Sequence, residues 1–201
     1  MSLLKKSIWI VLTTLVLDQA LKIWVKTHMY LGQEHQIFDW FYIHFTENNG
    51  MAFGMEFGGD WGKLGLSLFR IVFVVFMASF LLKLIRKNAD KVLIVSLSLV
   101  LAGAVGNIID GTLYGILFSE SYRQLATFLP EAGGYAPLFF GKVVDMFYFP
   151  IFKGYLPEWI PFWGGDYFVF FRPVFNIADS AISIGVAIMV IFQKKVMKEL
   201  D

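Results

Sequence analysis

The chain has 201 residues, 57% of them hydrophobic and 16% charged, where soluble domains carry about 25% charged residues. Its mean hydropathy of +0.64, with 22 Phe, eight Tyr and six Trp, excludes a disordered chain and argues for a polytopic membrane protein over a soluble globule. A net charge of +1 and the lack of cysteine give no reason to expect nucleic acid as a partner, and they rule out disulfides, thiolate metal sites and a cysteine nucleophile.

A helix needs about 20 mostly apolar residues to cross the hydrocarbon core. Four segments qualify, at about 7–25, 64–82, 92–109 and 174–192, so the chain is expected to be one membrane domain over 1–201. Lys5 and Lys6 precede the first segment, but no small-residue cleavage site follows it, and it reads as a retained helix rather than a signal peptide. It contains Asp18 and Lys22, spaced i, i+4 on one face where they can pair. The aromatic and β-branched run Ile37–Phe45 suits short strands. Gly58-Gly59 introduces the second segment, which carries Arg70 near its outer end. The third ends Gly103-Ala104-Val105-Gly106-Asn107-Ile108-Ile109-Asp110. Its glycines allow close helix approach, and Asn107 and Asp110 share a face.

Beyond it lies Asp145, in an apolar setting. Trp159, Phe162, Trp163, Tyr167, Phe168 and Phe170 follow and suit headgroup level. Asn176 and Asp179 open the fourth segment on one face. Lysine and arginine cluster at Lys5 and Lys6, at Lys83 to Lys91, and at Lys194 to Lys198. The positive-inside rule then puts both termini in the cytoplasm and the regions of about 26–63 and 110–172 outside.

A charge inside a membrane costs about 2.5–3.5 kcal/mol, so each needs a partner or a task. Asp145 and Asp179 come from segments bordering the second outer region and can converge near the outer surface. Two adjacent carboxyls share one proton, which suits hydrolysis: one activates water while the other polarises the scissile carbonyl. His28, His35 and His44 are too scattered for a metal site, and no phosphate loop is present. The alternative is a small transporter with Asp18, Asp110 and Asp179 as a proton relay. A scaffold locked by the same polar residues is a third reading.

Together these motifs resemble the lipoprotein signal peptidases (signal peptidase II), aspartyl proteases of the bacterial inner membrane. Asp18-Gln19-Ala20-Leu21-Lys22 looks like the first motif and Asn48-Asn49-Gly50-Met51-Ala52-Phe53 like the second. Gly103 to Asp110, Val143-Val144-Asp145 and Phe175-Asn176-Ile177-Ala178-Asp179 look like the other three. The resemblance implies Asp145 and Asp179 as the catalytic pair. Asp18, Lys22, Asn48, Gly50, Asn107, Asp110 and Asn176 would support the site or contact substrate, without metal or cofactor.

It further implies an all-α membrane class: a four-helix bundle with a small extracytoplasmic β-sheet cradle and a short amphipathic helix. Gly50 to Gly62 is the expected mobile cover. The expected partners are diacylglyceryl-modified prolipoproteins, cut just before the lipidated cysteine, and membrane lipids. The working unit is expected to be a monomer. One departure stands out: Gly111 follows Asp110 where the family usually has Arg, with Arg123, Lys142 and Arg172 as candidate replacements. The stretch 111–141 also looks longer than usual.

Overall fold

The computed structural model describes residues 1–50 and 59–200. Ser2 caps helix α1 (Leu3–His28) by accepting from the Lys5 amide. Strands β1 (Glu34–Phe38) and β2 (Phe41–Asn48) form an antiparallel pair, and helix α2 (Gly59–Arg86) follows. Helix α3 (Lys91–Ile109), capped by Asp90, runs on through a π-helical turn, Asp110–Tyr114, into α4 (Gly115–Leu117). Strands β3 (Val143–Tyr148), β4 (Phe152–Tyr155), β5 (Tyr167–Phe170) and β6 (Val174–Phe175) lead to α5 (Ile177–Ile191) and α6 (Gln193–Leu200).

Among the described residues three helical stretches are long and apolar enough to cross a membrane: Leu3–His28, Trp61–Arg86 and Lys91–Leu117. A fourth span arises if α5 and α6 are counted together, although they meet at an 87° bend. With 15 residues, α5 alone rises about 22 Å, short of a hydrocarbon core of about 30 Å. The outward faces of these helices are apolar: Trp9, Phe69, Val72, Phe76 and Ile191 are all well exposed, as lipid contact requires.

Several ends differ from the hydropathy pattern. α1 and α2 extend past 7–25 and 64–82 in both directions. The fourth helix begins at Ile177 rather than 174, because Phe175 and Val174 pair with Phe147 and Tyr148 and Asn176 caps the helix. The third does not stop at 109. Asp110 is neutralised by Lys22, so helical structure continues to Leu117 into the region expected to be loop. The expected cover falls mostly on 51–58, outside the described residues. Where one small sheet was expected beside the helices, the described residues form six strands in two sheets.

The larger sheet is antiparallel, in the order β1-β2-β3-β6; β4 and β5 form a separate ribbon. Thr46 faces Asp145 and Asn48 faces Val143, which fixes β3 against β2. Apolar clusters lie towards both ends of the long third helix. Leu93, Ile94 and Leu101 pack with Met77, Leu81, Leu84 and Val196 at one end. Tyr114 and Phe118 pack with Val25, Met29, Phe45, Val144 and Met146 at the sheet end.

Between these clusters α3 and α5 pack backbone to backbone. A Cβ at Gly103 would run into the Ala178 carbonyl and the Ile182 side chain. Gly103→Ala is therefore expected to cost about 1–3 kcal/mol by overpacking, read as a lower unfolding temperature in detergent.

Candidate active site

α1 places Asp18 and Lys22 one turn apart, facing α3. The Lys22 ammonium is completely buried, and its three protons go to Asp18 (2.9 Å), Asp110 (2.8 Å) and the Asn107 side-chain oxygen (3.0 Å). The two carboxylates are held from elsewhere as well. Asp18 accepts from the Ala178 amide at 2.9 Å, and Asp110 accepts from the Val144 amide at 3.2 Å. One buried cation thus joins α1, α3, the first turn of α5 and strand β3.

Asn107 passes the order on. Its amide donates to Asp179 at 2.8 Å, and its oxygen accepts from Asn176 at 3.2 Å. Asn176 and Asp179 form a capping box at the start of α5: the Asp179 amide donates to the Asn176 side chain at 2.8 Å, and the Asn176 amide donates back to the Asp179 carboxylate at 3.3 Å. The Asn176 side-chain amide also donates to Asp145 at 2.7 Å. Asn48, at the end of β2, donates to the other Asp145 oxygen. Asn107 and Asn176 thereby bridge a carboxyl on β3 to one on α5.

The environments of the two acids differ. Asp145 is buried, whereas Asp179 is partly exposed in the first turn of a helix, where the dipole favours negative charge. Burial first, and the neighbouring Asp179 charge second, push the Asp145 carboxyl up from 3.8 to about 7; hydrogen bonds from Asn48 and Asn176 and the Lys22 charge oppose the rise. A carboxyl titrating near neutrality is suited to giving and taking protons.

All nine residues singled out in the sequence lie in this one connected network. Gly50 joins it through its amide, which donates to the Asn48 side chain at 2.6 Å. Its φ of +85° is a backbone state that favours glycine. The histidines take no part in the network: His28 stacks on Trp24 and His44 pairs with Glu34.

Residues 10–194 match the family model described as signal peptidase (SPase) II. The chain belongs to the signal peptidase II family. It is 54% identical over 183 residues to the lipoprotein signal peptidase of Porphyromonas gingivalis (strain ATCC BAA-308 / W83), covering 90% of this chain and 80% of that protein. It is 38% identical over 195 residues to the lipoprotein signal peptidase of Amoebophilus asiaticus (strain 5a2), covering 92% of this chain and 78% of that protein. A bacterial membrane enzyme solved by the in meso method at 2.3 Å superposes with a TM-score of 0.61 at 25% identity, covering 95% of this chain and 88% of that one. Membership makes the chain an aspartic-type peptidase of a bacterial inner-membrane family.

Two of the three cations considered for Gly111 are engaged elsewhere. Lys142 pairs with Glu47 and Glu120, Arg123 lies over the Tyr122 ring, and Arg172 sits in the β5–β6 connection. Arg70 of α2 instead donates to the Gly50 carbonyl and acts electrostatically on Asp179. Sequence reasoning noted Arg70 only as a charge near a helix end.

Gln19 was also missed as a site residue. It donates to Asp18 (3.1 Å) and Asp110 (2.9 Å) and accepts from Tyr114 at 3.1 Å. Its place beside Asp18 in the first motif was the available signal.

A second buried cation anchors the outer segments. Lys26 pairs with Glu47, donates to Ser121 at 2.9 Å, and lies over the Tyr135 ring at 4.8 Å. It ties the long stretch after α4 to α1 and to the strand that ends in Asn48.

Proposed function

We propose that this chain removes signal peptides from diacylglyceryl-modified prolipoproteins, with Asp145 and Asp179 as the catalytic pair. The bridge through Asn107 and Asn176, which couples a buried carboxyl titrating near 7 to a partly exposed one at a helix start, carries this reading. Asp145 holds the shared proton and Asp179 is the base. Water loses a proton to Asp179 and its oxygen attacks the scissile carbonyl carbon, while Asp145 donates to the carbonyl oxygen. Collapse of the tetrahedral intermediate breaks the C–N bond, and a proton passes to the leaving amine of the lipidated cysteine. Asn48, Asn107 and Asn176 hold the carboxyls in register, and Asp18, Lys22 and Asp110 hold the helices that carry them.

The four-helix bundle has its larger sheet on the extracytoplasmic side, with both termini cytoplasmic. The basic α6, carrying Lys194, Lys195 and Lys198, then lies along the inner surface as an interfacial helix, and the bilayer thins locally to match the short α5. Water reaches the acids from the outer layer without crossing hydrocarbon, and the lipidated substrate enters sideways from the bilayer.

The test is cleavage in proteoliposomes, with lipidated and unlipidated prolipoprotein compared by gel shift and mass. Cleavage of the lipidated form just before its cysteine is expected; an inert, well-folded enzyme would overturn the assignment. The pH profile is a second check. kcat/KM is expected to fall as pH rises past about 7 and Asp145 loses its proton. Asn48→Ala, which removes a hydrogen bond that favours the carboxylate, is expected to move that alkaline limb upward.

A further inference from the structure

β4 and β5 pair from Phe152 with Phe170 to Tyr155 with Tyr167 and are closed by the loop 156–166. The loop has fixed internal hydrogen bonds, with the Leu156 amide donating to Asp166 (2.9 Å) and the Gly164 amide to Ile160 (2.9 Å). At the base of the ribbon the Lys153 ammonium lies 4.4 Å from the Tyr42 ring centre, tying it to the larger sheet. Yet the ribbon has no core. Phe162 is 97% exposed, Trp159 80% and Tyr155 75%, and Trp163, Phe152 and Phe170 are each more than half exposed. A two-stranded ribbon is marginal in water, and an exposed apolar patch of this kind marks a binding surface.

We propose that the β4–β5 ribbon is a membrane anchor whose tip (Trp159, Phe162 and Trp163) is seated in the headgroup–acyl boundary of the leaflet beside the start of α5. Chain length supports lipid as the occupant. Ile177, where α5 begins, is seven residues past Phe170, a reach of at most about 25 Å.

Antiparallel spans put the α1 C-terminus, the α2 N-terminus and the α5 N-terminus on one side. Trp24 and Trp61 are exposed at the first two of these ends, and the ribbon continues that aromatic belt. Charge supports lipid as well. Lys153 and Arg172 are matched by Glu158 and Asp166, leaving no single-sign patch to select a charged protein partner. The anchor would fix the depth of β3 and β6, and so of Asp145 and of the helix start carrying Asp179.

Because the chain has no cysteine, a nitroxide on Phe162→Cys reports this depth in the full chain, reconstituted in phosphatidylcholine–phosphatidylglycerol vesicles. The reference is a label on Glu131→Cys, an exposed residue of the stretch after α4. Oxygen should relax the Phe162→Cys label more strongly than a water-soluble nickel chelate does, with the reverse at Glu131→Cys. Adding Trp159→Ser and Trp163→Ser should move the Phe162→Cys label towards water. A label at Phe162→Cys as open to the chelate as that at Glu131→Cys would overturn the proposal. So would one that is shielded only after prolipoprotein is added, which would make the ribbon a substrate-docking surface. Depth is read from relaxation rather than turnover, so failure of the peptidase reading leaves this result standing.

Discussion

Asp145→Asn and Asp179→Asn are each expected to insert and fold, and to cut prolipoprotein about 10²–10⁴-fold more slowly, the usual contribution of a positioned acid or base. An amide keeps the shape of the carboxyl and one acceptor oxygen. Asp145 accepts from Asn48 and Asn176, and Asp179 accepts from the Asn107 side chain and the Asn176 amide. Each variant therefore loses one of two hydrogen bonds, on the order of 1 kcal/mol. What it cannot do is exchange a proton with water or with the leaving amine. Processing by gel shift, with unfolding temperature alongside, checks both halves; full cleavage by either variant would remove that residue from the mechanism.

Lys22→Met is expected to do the opposite, with folding failing before chemistry. Methionine matches the length of the lysine stem but supplies no charge, leaving Asp18 and Asp110, both essentially inaccessible to water, without their shared cation. Breaking a buried ion pair by removing one partner costs about 3–5 kcal/mol, and here two carboxylates lose the same partner. The expected result is a sharply lower unfolding temperature and poor recovery from the membrane. A Lys22→Met enzyme that is as stable as wild type and merely slow would show that this lysine serves catalysis rather than assembly.

pH acts on stability through Asp145. Its folded-state value of about 7 lies above the ordinary 3.8, so the folded chain holds a proton that the unfolded chain releases. The stability linked to that proton is complete below about pH 4 and is lost as pH rises through 7. Unfolding temperature in detergent should fall between pH 5 and pH 8, and Asp145→Asn should flatten that fall.

The polar residues were legible in the sequence because a charge in an apolar run must be accounted for. Asp18 and Lys22 announce themselves by spacing alone. That Asp110 shares the same ammonium was not legible, since it depends on how α1 packs against α3. Asn176 and Asp179 looked like neighbours on a helix face; the capping box that joins them also explains why the helix starts after the sheet rather than at the first apolar residue. Arg70 escaped notice because its contact with Gly50 links residues brought together only by folding. The aromatic run after Asp145 suggested headgroup level but not a paired ribbon, because its exposed strands lack the alternation that marks a half-buried sheet.

The most direct test of water activation by the acid pair is a single turnover of excess enzyme on lipidated prolipoprotein in ¹⁸O-water. The account predicts one ¹⁸O atom in the new carboxylate of the released signal peptide on the first turnover, with none in Asp145 or Asp179. An unlabelled first-turnover peptide, with ¹⁸O appearing in either aspartate, would show that a carboxylate attacks the carbonyl itself and would contradict it.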